Sequence, residues 1–291
     1  MLPYDSKNHT KVADNVFLQE IRKYSLVDLE VRSRILNWAA TRRFAPREEI
    51  TRKSRDKNSY VFSYWHSGAD SSPPIVKACI KSHQKYFGDS YVLLNSDNIA
   101  DWIEIPKRVT SLRSRISQTQ FSQTQFSEIL RLMLLESYGG AWVDSTVLLT
   151  DQPIFHSDLD FFCFSKPSEP RLLSSWWIEA RFGSYIVERW LDYLLAYWDQ
   201  HDYLIDYFIM HYLFEALHVL DTNFRELWNS VPAVSANPPH LLQSILCCPH
   251  DPKNFKTILD QSNTHKLTWK LPDEMSENST LEFLLNTIEK S

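Results

Sequence analysis

The chain has 291 residues, of which 43% are hydrophobic and 23% charged, with a formal net charge of −5. That is enough apolar material for a sizeable core, which excludes a disordered or collagen-like chain. The mildly acidic balance argues against nucleic acid as a partner.

The N-terminal stretch MLPYDSKNHTKVADN carries no apolar run of the kind a signal peptide needs, so none is expected. Residues 14–43 mix Val16, Phe17, Ile21, Ile35, Leu36 and Trp38 with charges, a helical texture that predicts two helices. Residues 44–59 are polar and contain Pro46, and read as a linker. A boundary is therefore expected near 58, dividing an N-terminal helical segment (1–58) from a larger domain (59–291). Between Arg32 and Lys57 the chain is rich in arginine. Such a stretch is either a solvated helical surface or a patch that leans on an anionic membrane.

Beyond 58 the texture changes. YVFSYW (60–65) is aromatic and β-prone and predicts a buried strand. HSGADSSPP supplies turn residues and a Pro pair suited to a helix start. IVKACIKSHQKYF has helical spacing and stops at Gly88, and SYVLLN (90–95) predicts a second strand. Strand, helix, strand is the opening of a parallel α/β sheet. SDNIADWI reads as a turn and a short helix, and the pentapeptide QTQFS occurs twice, at 118–122 and 123–127. Phe126, Ile129, Leu130, Met133, Leu134 and Ser137 then predict an amphipathic helix ending near Tyr138.

The paired glycines that follow, in a chain with five glycines, call for a reason. Gly139 sits where a helix terminus turns left-handed, and Gly140 would let the backbone pass close to a neighbour. AWVDSTVLL then predicts a central strand buried on both faces, broken by Asp144. An unpaired carboxylate there would cost several kcal/mol. Asp144 is therefore expected at a strand end facing a cleft, or with a partner, and ligands of open α/β sheets bind at strand carboxyl ends. Further along, LDFFCFS (159–165) predicts a strand and SSWWIEARFGS a connecting segment. YIVERWLDYLLAYW (185–198) and LIDYFIMHYLFEAL (204–217) predict helices, and a last helix is expected near 280–289.

FSEILRLMLLESYGGAWVDSTVLL (126–149) resembles the sugar-nucleotide glycosyltransferase pattern S-D-x-x-R…Y-G-G-x-[YW]-x-D-x-D. It is most similar to the bacterial capsular polysaccharide synthesis protein family, whose aspartate segment often reads W-I-D-A-T. YVFSYWHSGADSSPPIVKACIKSH and HKLTWK (265–270) resemble two further segments of that family, in the same order. The resemblance spans about 60–270. It implies an α/β fold of GT-A type, a Rossmann-like nucleotide-sugar-binding sandwich with a central mostly parallel sheet, here with an N-terminal helical appendage.

Residue by residue, the resemblance implies that Glu128 and Arg131 meet the donor sugar and its phosphates, with Ser127 beside them. A surface ion pair three residues apart is the plain alternative. Trp142 would stand beside the donor, or simply pack the core. Asp144 matches the first Asp of the motif and would organise a divalent metal, Mn²⁺ or Mg²⁺. The second Asp, commonly a metal ligand, is replaced by Thr146, a poorer donor. Either Asp144 alone anchors the ion with the diphosphate, or cations neutralise the leaving group, with His265, Lys266 and Lys270 as candidates. Tyr64, Trp65 and His66 would border the nucleotide base, His66 standing in place of the family's Gln or serving as a loop residue. Gly140 belongs to the same donor-side set. Asp97 would reach the nucleotide or form a turn. Asp206 would hold the acceptor hydroxyl, cap a helix, or join a buried ion pair.

The implied activity is transfer of a sugar from a nucleoside diphosphate sugar, UDP-linked for preference, with retention of configuration. The implied acceptor is a growing capsular or lipid-linked polysaccharide. Four cysteines without a CxxC pair indicate reduced thiols, and no stretch reaches the roughly 18 apolar residues of a spanning helix. A cytoplasmic protein, peripheral at the inner membrane face, is expected. A non-catalytic sugar- or nucleotide-binding protein on the same fold, and a phosphosugar transferase, are the alternatives.

Overall fold

The computed structural model describes residues 26–42, 50–56, 59–116, 121–165, 172–272 and 276–289. The helical texture before residue 26, and the first copy of QTQFS up to residue 120, lie outside them.

Five strands form the central sheet: β1 (Val61–Tyr64), β2 (Tyr91–Leu94), β3 (Gly140–Val143), β5 (Phe161–Cys163) and β6 (Trp177–Ala180), in the order β2-β1-β3-β6-β5. β1 pairs parallel with both β2 and β3, while β6 runs antiparallel to β3 and to β5. Four of the five strands thus point one way. β1 is fed to β2 through helix α2 (Pro74–Phe87), which opens on Pro74 and ends at Gly88 with φ 55°. These are the proline and glycine signals of the sequence.

Alternation along the strands builds a core on each face. Phe62, Trp142, Ile178 and Phe161 belong to one apolar cluster. Val61, Ala141, Val143, Trp177 and Phe162 belong to another on the opposite side. Helix α4 (Gln123–Tyr138) packs under the first face; α3 (Lys107–Arg115) precedes it in the chain. α4 starts on a capping box, Ser122 receiving the Thr124 N–H and Gln125 receiving the Ser122 N–H. It is not the amphipathic helix expected. Nearly every residue from Gln125 to Leu135 is buried, because sheet and helix α5 (Tyr185–Gln200) flank it.

Helix α1 (Leu26–Ala40) lies within the segment expected to stand apart. It packs on α6 (Ile209–Leu220), and its Val31, Ile35 and Ala39 share the main core. Several of the basic residues are anchored: Arg32 pairs with Glu215, Arg52 donates to the Ser137 carbonyl, and Arg55 lies 4.2 Å from the Trp102 ring.

Two expectations are corrected. AWVDSTVLL is not one strand. β3 ends at Val143, the chain turns through Asp144–Thr146, and β4 (Val147–Leu149) pairs antiparallel with β7 (Thr264–Lys266) in a separate ribbon. SSWWIEARFGS is no mere connection, since it holds β6, inserted between β3 and β5. Helices α7 (Thr222–Asn229), α8 (Asn237–Ile245), α9 (Pro252–Leu259) and α10 (Thr280–Glu289) complete the chain. α8, α9 and α10 pack with α2, β4 and Leu267, the residue after β7, into a third apolar cluster.

Candidate active site

Gly139 closes α4 at φ 68°, its N–H returning to the Leu135 carbonyl across 2.8 Å. Gly140 follows at φ 89°, and a Cβ there would collide with the Tyr60 carbonyl oxygen. The pair therefore turns the chain out of the helix and seats β3 directly against the strand entering β1. β3 runs to its carboxyl end, and the next residue is Asp144.

Three hydrogen bonds shape the turn after β3. The Asp144 N–H donates to the Trp176 carbonyl and the Val147 N–H to the Asp144 carbonyl, both at 2.9 Å. The Ser145 hydroxyl donates to the Tyr64 carbonyl at 3.0 Å, tying the turn to the end of β1. The Asp144 side chain remains 24% exposed. It opens onto a cleft of about 700 Å³, a size that suits a small-molecule ligand.

Every oxygen of that carboxylate has a partner. Oδ1 receives the Trp142 indole N–H at 2.8 Å and lies 3.4 Å from Arg131 Nη1. Oδ2 receives Lys266 Nζ at 3.1 Å, and the same ammonium donates to the Thr146 hydroxyl oxygen. Burial alone would push the Asp144 carboxyl up. Lys266 first, then Arg131 and the Trp142 indole outweigh it and hold the group below the usual carboxylate range.

Arg131 is fixed on all sides. Its guanidinium donates to the Ser127 carbonyl and hydroxyl at 3.2 Å and to the Ser175 carbonyl at 2.5 Å. It also stacks over Trp142, 4.8 Å from the ring centre. Lys266 is delivered by the β4–β7 ribbon, where it sits opposite Val147, and the Leu267 N–H donates to the Thr146 carbonyl.

Of the residues singled out in the sequence, Tyr64, Trp65, His66, Ser127, Arg131, Trp142, Asp144, Thr146, Lys266 and Lys270 border this one cleft. His66 bonds through Nδ1 to the Tyr64 hydroxyl at 2.9 Å. The others are elsewhere. His265 points to the opposite side of β7 from Lys266, fully buried beside Thr150. Burial pushes its imidazole down to about 4, so it is neutral and adds no cation. Gly140 lies at the far end of β3, where its role is the close approach to Tyr60. Asp97 stands exposed in a turn closed by the Asn95 side chain. Asp206 receives the Phe208 N–H at 2.8 Å, closing a turn ahead of α6.

Glu128 sits in the helix three residues from Arg131, buried, with Oε2 lacking any hydrogen-bond partner among the described residues. Burial raises its carboxyl to about 8, against the pull of Arg131 and with the Asp144 charge adding to the rise. It is predominantly protonated at neutral pH and is no surface ion pair. Two exposed aromatic walls of the cleft, Tyr207 (53% exposed) and Trp269 (46% exposed), are not among the residues singled out in the sequence. Each adjoins a residue that was named, Asp206 and Lys270; an aromatic beside a candidate polar group was the available signal. The Ser175 carbonyl, a backbone group, had none.

The cleft thus joins, at a strand carboxyl end, an acid, two fixed cations and aromatic walls. The model of the capsular polysaccharide synthesis protein family matches residues 15–285. The chain belongs to that family. The match runs through both the N-terminal helix and the cleft. The O-glycosyltransferase PaGT of Phomopsis amygdali is 25% identical over 175 residues, covering 52% of this chain and 43% of that protein. The chain thus spans less than half the length of that relative. Among solved structures, the PaToxG glycosyltransferase aligns with a TM-score of 0.40 and 14% identity over 73% of this chain and 90% of its own. A glycosyltransferase involved in the glycosylation of the major capsid of PBCV-1 aligns with a TM-score of 0.37 and 11% identity, over 79% and 98%. Among the described residues no helix is long and apolar enough to cross a membrane.

Proposed function

We propose that the chain is a glycosyltransferase that moves a sugar from a nucleoside diphosphate donor, UDP-linked for preference, to an oligosaccharide or lipid-linked acceptor in capsule synthesis. The observation that carries this reading is Asp144 at the carboxyl end of β3, flanked by Arg131 and Lys266 and opening on a cleft of about 700 Å³. Family membership and a glycosyltransferase relative support it.

The chemistry needs three things. A departing diphosphate must meet positive charge, and Arg131, Lys266 and Lys270 border the cleft to supply it. The sugar must be held with its anomeric carbon towards the acceptor, a task for Asp144 and the exposed aromatic walls Tyr207 and Trp269. Charge developing on the sugar ring must be tolerated, and Asp144 is the carboxylate of the cleft proposed for that role. Retention of configuration is proposed on the resemblance alone. A peripheral seat on an anionic membrane is proposed from the arginine-rich stretch between Arg32 and Lys57 and from Val27 and Leu29, exposed on α1. Sedimentation with anionic vesicles tests that seat.

The test of the activity is release of nucleoside diphosphate from a panel of UDP- and GDP-sugars, with a saccharide acceptor. Release of diphosphate supports transfer. Release of a nucleoside monophosphate would replace this reading with a phosphosugar transferase, and binding without turnover would replace it with a binding protein.

A further inference from the structure

The motif that this chain resembles uses two acids, two positions apart, to hold a divalent ion. Here those positions are Asp144 and Thr146, and the space between their oxygens is taken. Lys266 Nζ lies 3.1 Å from Asp144 Oδ2 and also donates to Thr146 Oγ1. The other carboxylate oxygen serves Trp142 and Arg131.

Three further facts bear on an ion at this place. Divalent Mg²⁺ or Mn²⁺ seeks several oxygen donors, preferably anionic. Among the described residues no three of His, Cys, Asp and Glu come together as a metal site. The local charge is already positive, with Arg131 and Lys266 against Asp144, while Glu128 three residues from Arg131 is predominantly protonated. A dication brought into that group would be repelled by two cations. The residues present do not fit a divalent ion. They do fit an anion. Lys266 has three N–H donors and spends two on Asp144 and Thr146, leaving one for a ligand oxygen in the cleft that it lines. Its position is held by strand pairing, so the charge is in place before any ligand arrives.

Building on the transferase reading, we propose that the Lys266 ammonium takes the place of the metal ion and that this chain binds its donor diphosphate and transfers the sugar without a divalent cation. In the step, the bond between the anomeric carbon and the β-phosphate oxygen breaks, and its electron pair stays on that oxygen. The acceptor hydroxyl oxygen bonds to the anomeric carbon, and its proton passes to the departing diphosphate. Lys266, with Arg131, stabilises the charge that appears on the phosphate.

Calorimetric titration of the full chain with UDP and with GDP, in excess EDTA and again in Mn²⁺, tests this. The expected result is equal affinity in both, with donor turnover indifferent to chelation. Lys266→Met is expected to weaken nucleotide binding by roughly 10- to 100-fold, the scale of a charge-assisted hydrogen bond. Nucleotide binding that appears only with Mn²⁺ overturns the inference and leaves the transferase reading standing. So does a folded Lys266→Met protein that binds as tightly as wild type. If that variant does not fold, the wild-type comparison alone decides. No nucleotide binding and no donor consumption under any condition would sink the transferase reading, and this inference with it.

Discussion

The Trp142 indole N–H donates to Asp144 Oδ1 across 2.8 Å. The two residues lie two apart at the end of one strand and so project to the same side. The ring that fills the core under the sheet therefore also orients the carboxylate of the cleft, and Arg131 covers that ring while reaching the same oxygen. Packing and charge meet in one residue pair.

Asp144→Asn keeps the shape of this arrangement and removes its charge. Arg131 retains its bonds to Ser127 and Ser175, so the fold is expected to survive with a loss of about 1–3 kcal/mol. Donor turnover is expected to fall at least 100-fold, as for loss of a group acting on a transition state. Turnover assays beside thermal unfolding check both halves. A collapse of the melting temperature would mark the carboxylate as structural.

Gly140→Ala tests the close approach of β3 to β1. The backbone there has φ 89°, and a methyl group would strike the Tyr60 carbonyl. Backbone strain and overpacking together should cost on the order of 3 kcal/mol. Urea unfolding would show it as a lower midpoint. An unchanged midpoint would mean that the two strands separate at no cost.

Glu128 gives the protein an alkaline weakness. Unfolded, this carboxyl ionises near 4.5; folded, burial holds it at about 8. Between those values the folded chain keeps a proton that the unfolded chain releases, so stability falls as pH rises. Glu128→Gln carries no such burden. Its advantage over wild type should grow from pH 5 to pH 8, reaching a few kcal/mol as an upper bound. Parallel stability profiles for the two proteins would refute this.

His83 gives it an acid weakness. Nε2 donates to the Val147 carbonyl at 2.7 Å, which leaves Nδ1 to accept from the Tyr91 hydroxyl at 3.2 Å. Burial pushes the imidazole down from 6.5 to about 4, against the Val147 bond and the Asp144 charge. The unfolded chain takes up a proton below 6.5, where the folded chain refuses it, so this contribution is lost as pH falls from 6.5 towards 4. His83→Gln should be less stable at pH 7 yet lose less on acidification. Chemical denaturation across that range measures the slope, and equal slopes would exclude the assignment.

Elements with punctuation were legible in the sequence. Pro74 and Gly88 bracket α2, and Gly139 ends α4, because those residues do locally what few others can. The position of Asp144 at a strand end was also legible, because an unpaired acid inside a sheet is so costly. The split between β3 and β4 was not. Residues 141–149 carry apolar runs on both sides of Asp144–Thr146, and what makes that polar triplet a turn is tertiary: the Ser145 bond to Tyr64 and the pairing of β4 with distant β7. β6 is not legible in the sequence, because Trp176 and Trp177 give no alternation to read. His265 and Lys266 were grouped as cations by nearness in sequence; only a strand at 264–266 separates them onto opposite sides.

Lys266 reaches Asp144 by way of two three-residue strands, with no flexible loop in between. Sliding one of them along the other by a single position would exchange the two sides of β7. An uncharged imidazole would then look out over the cleft, and an ammonium would be driven inward among leucines. The electrical character of the pocket is thus inherited from the fidelity of one short pairing. Insertions between residues 149 and 264 are harmless to it only while those strands still find each other in step.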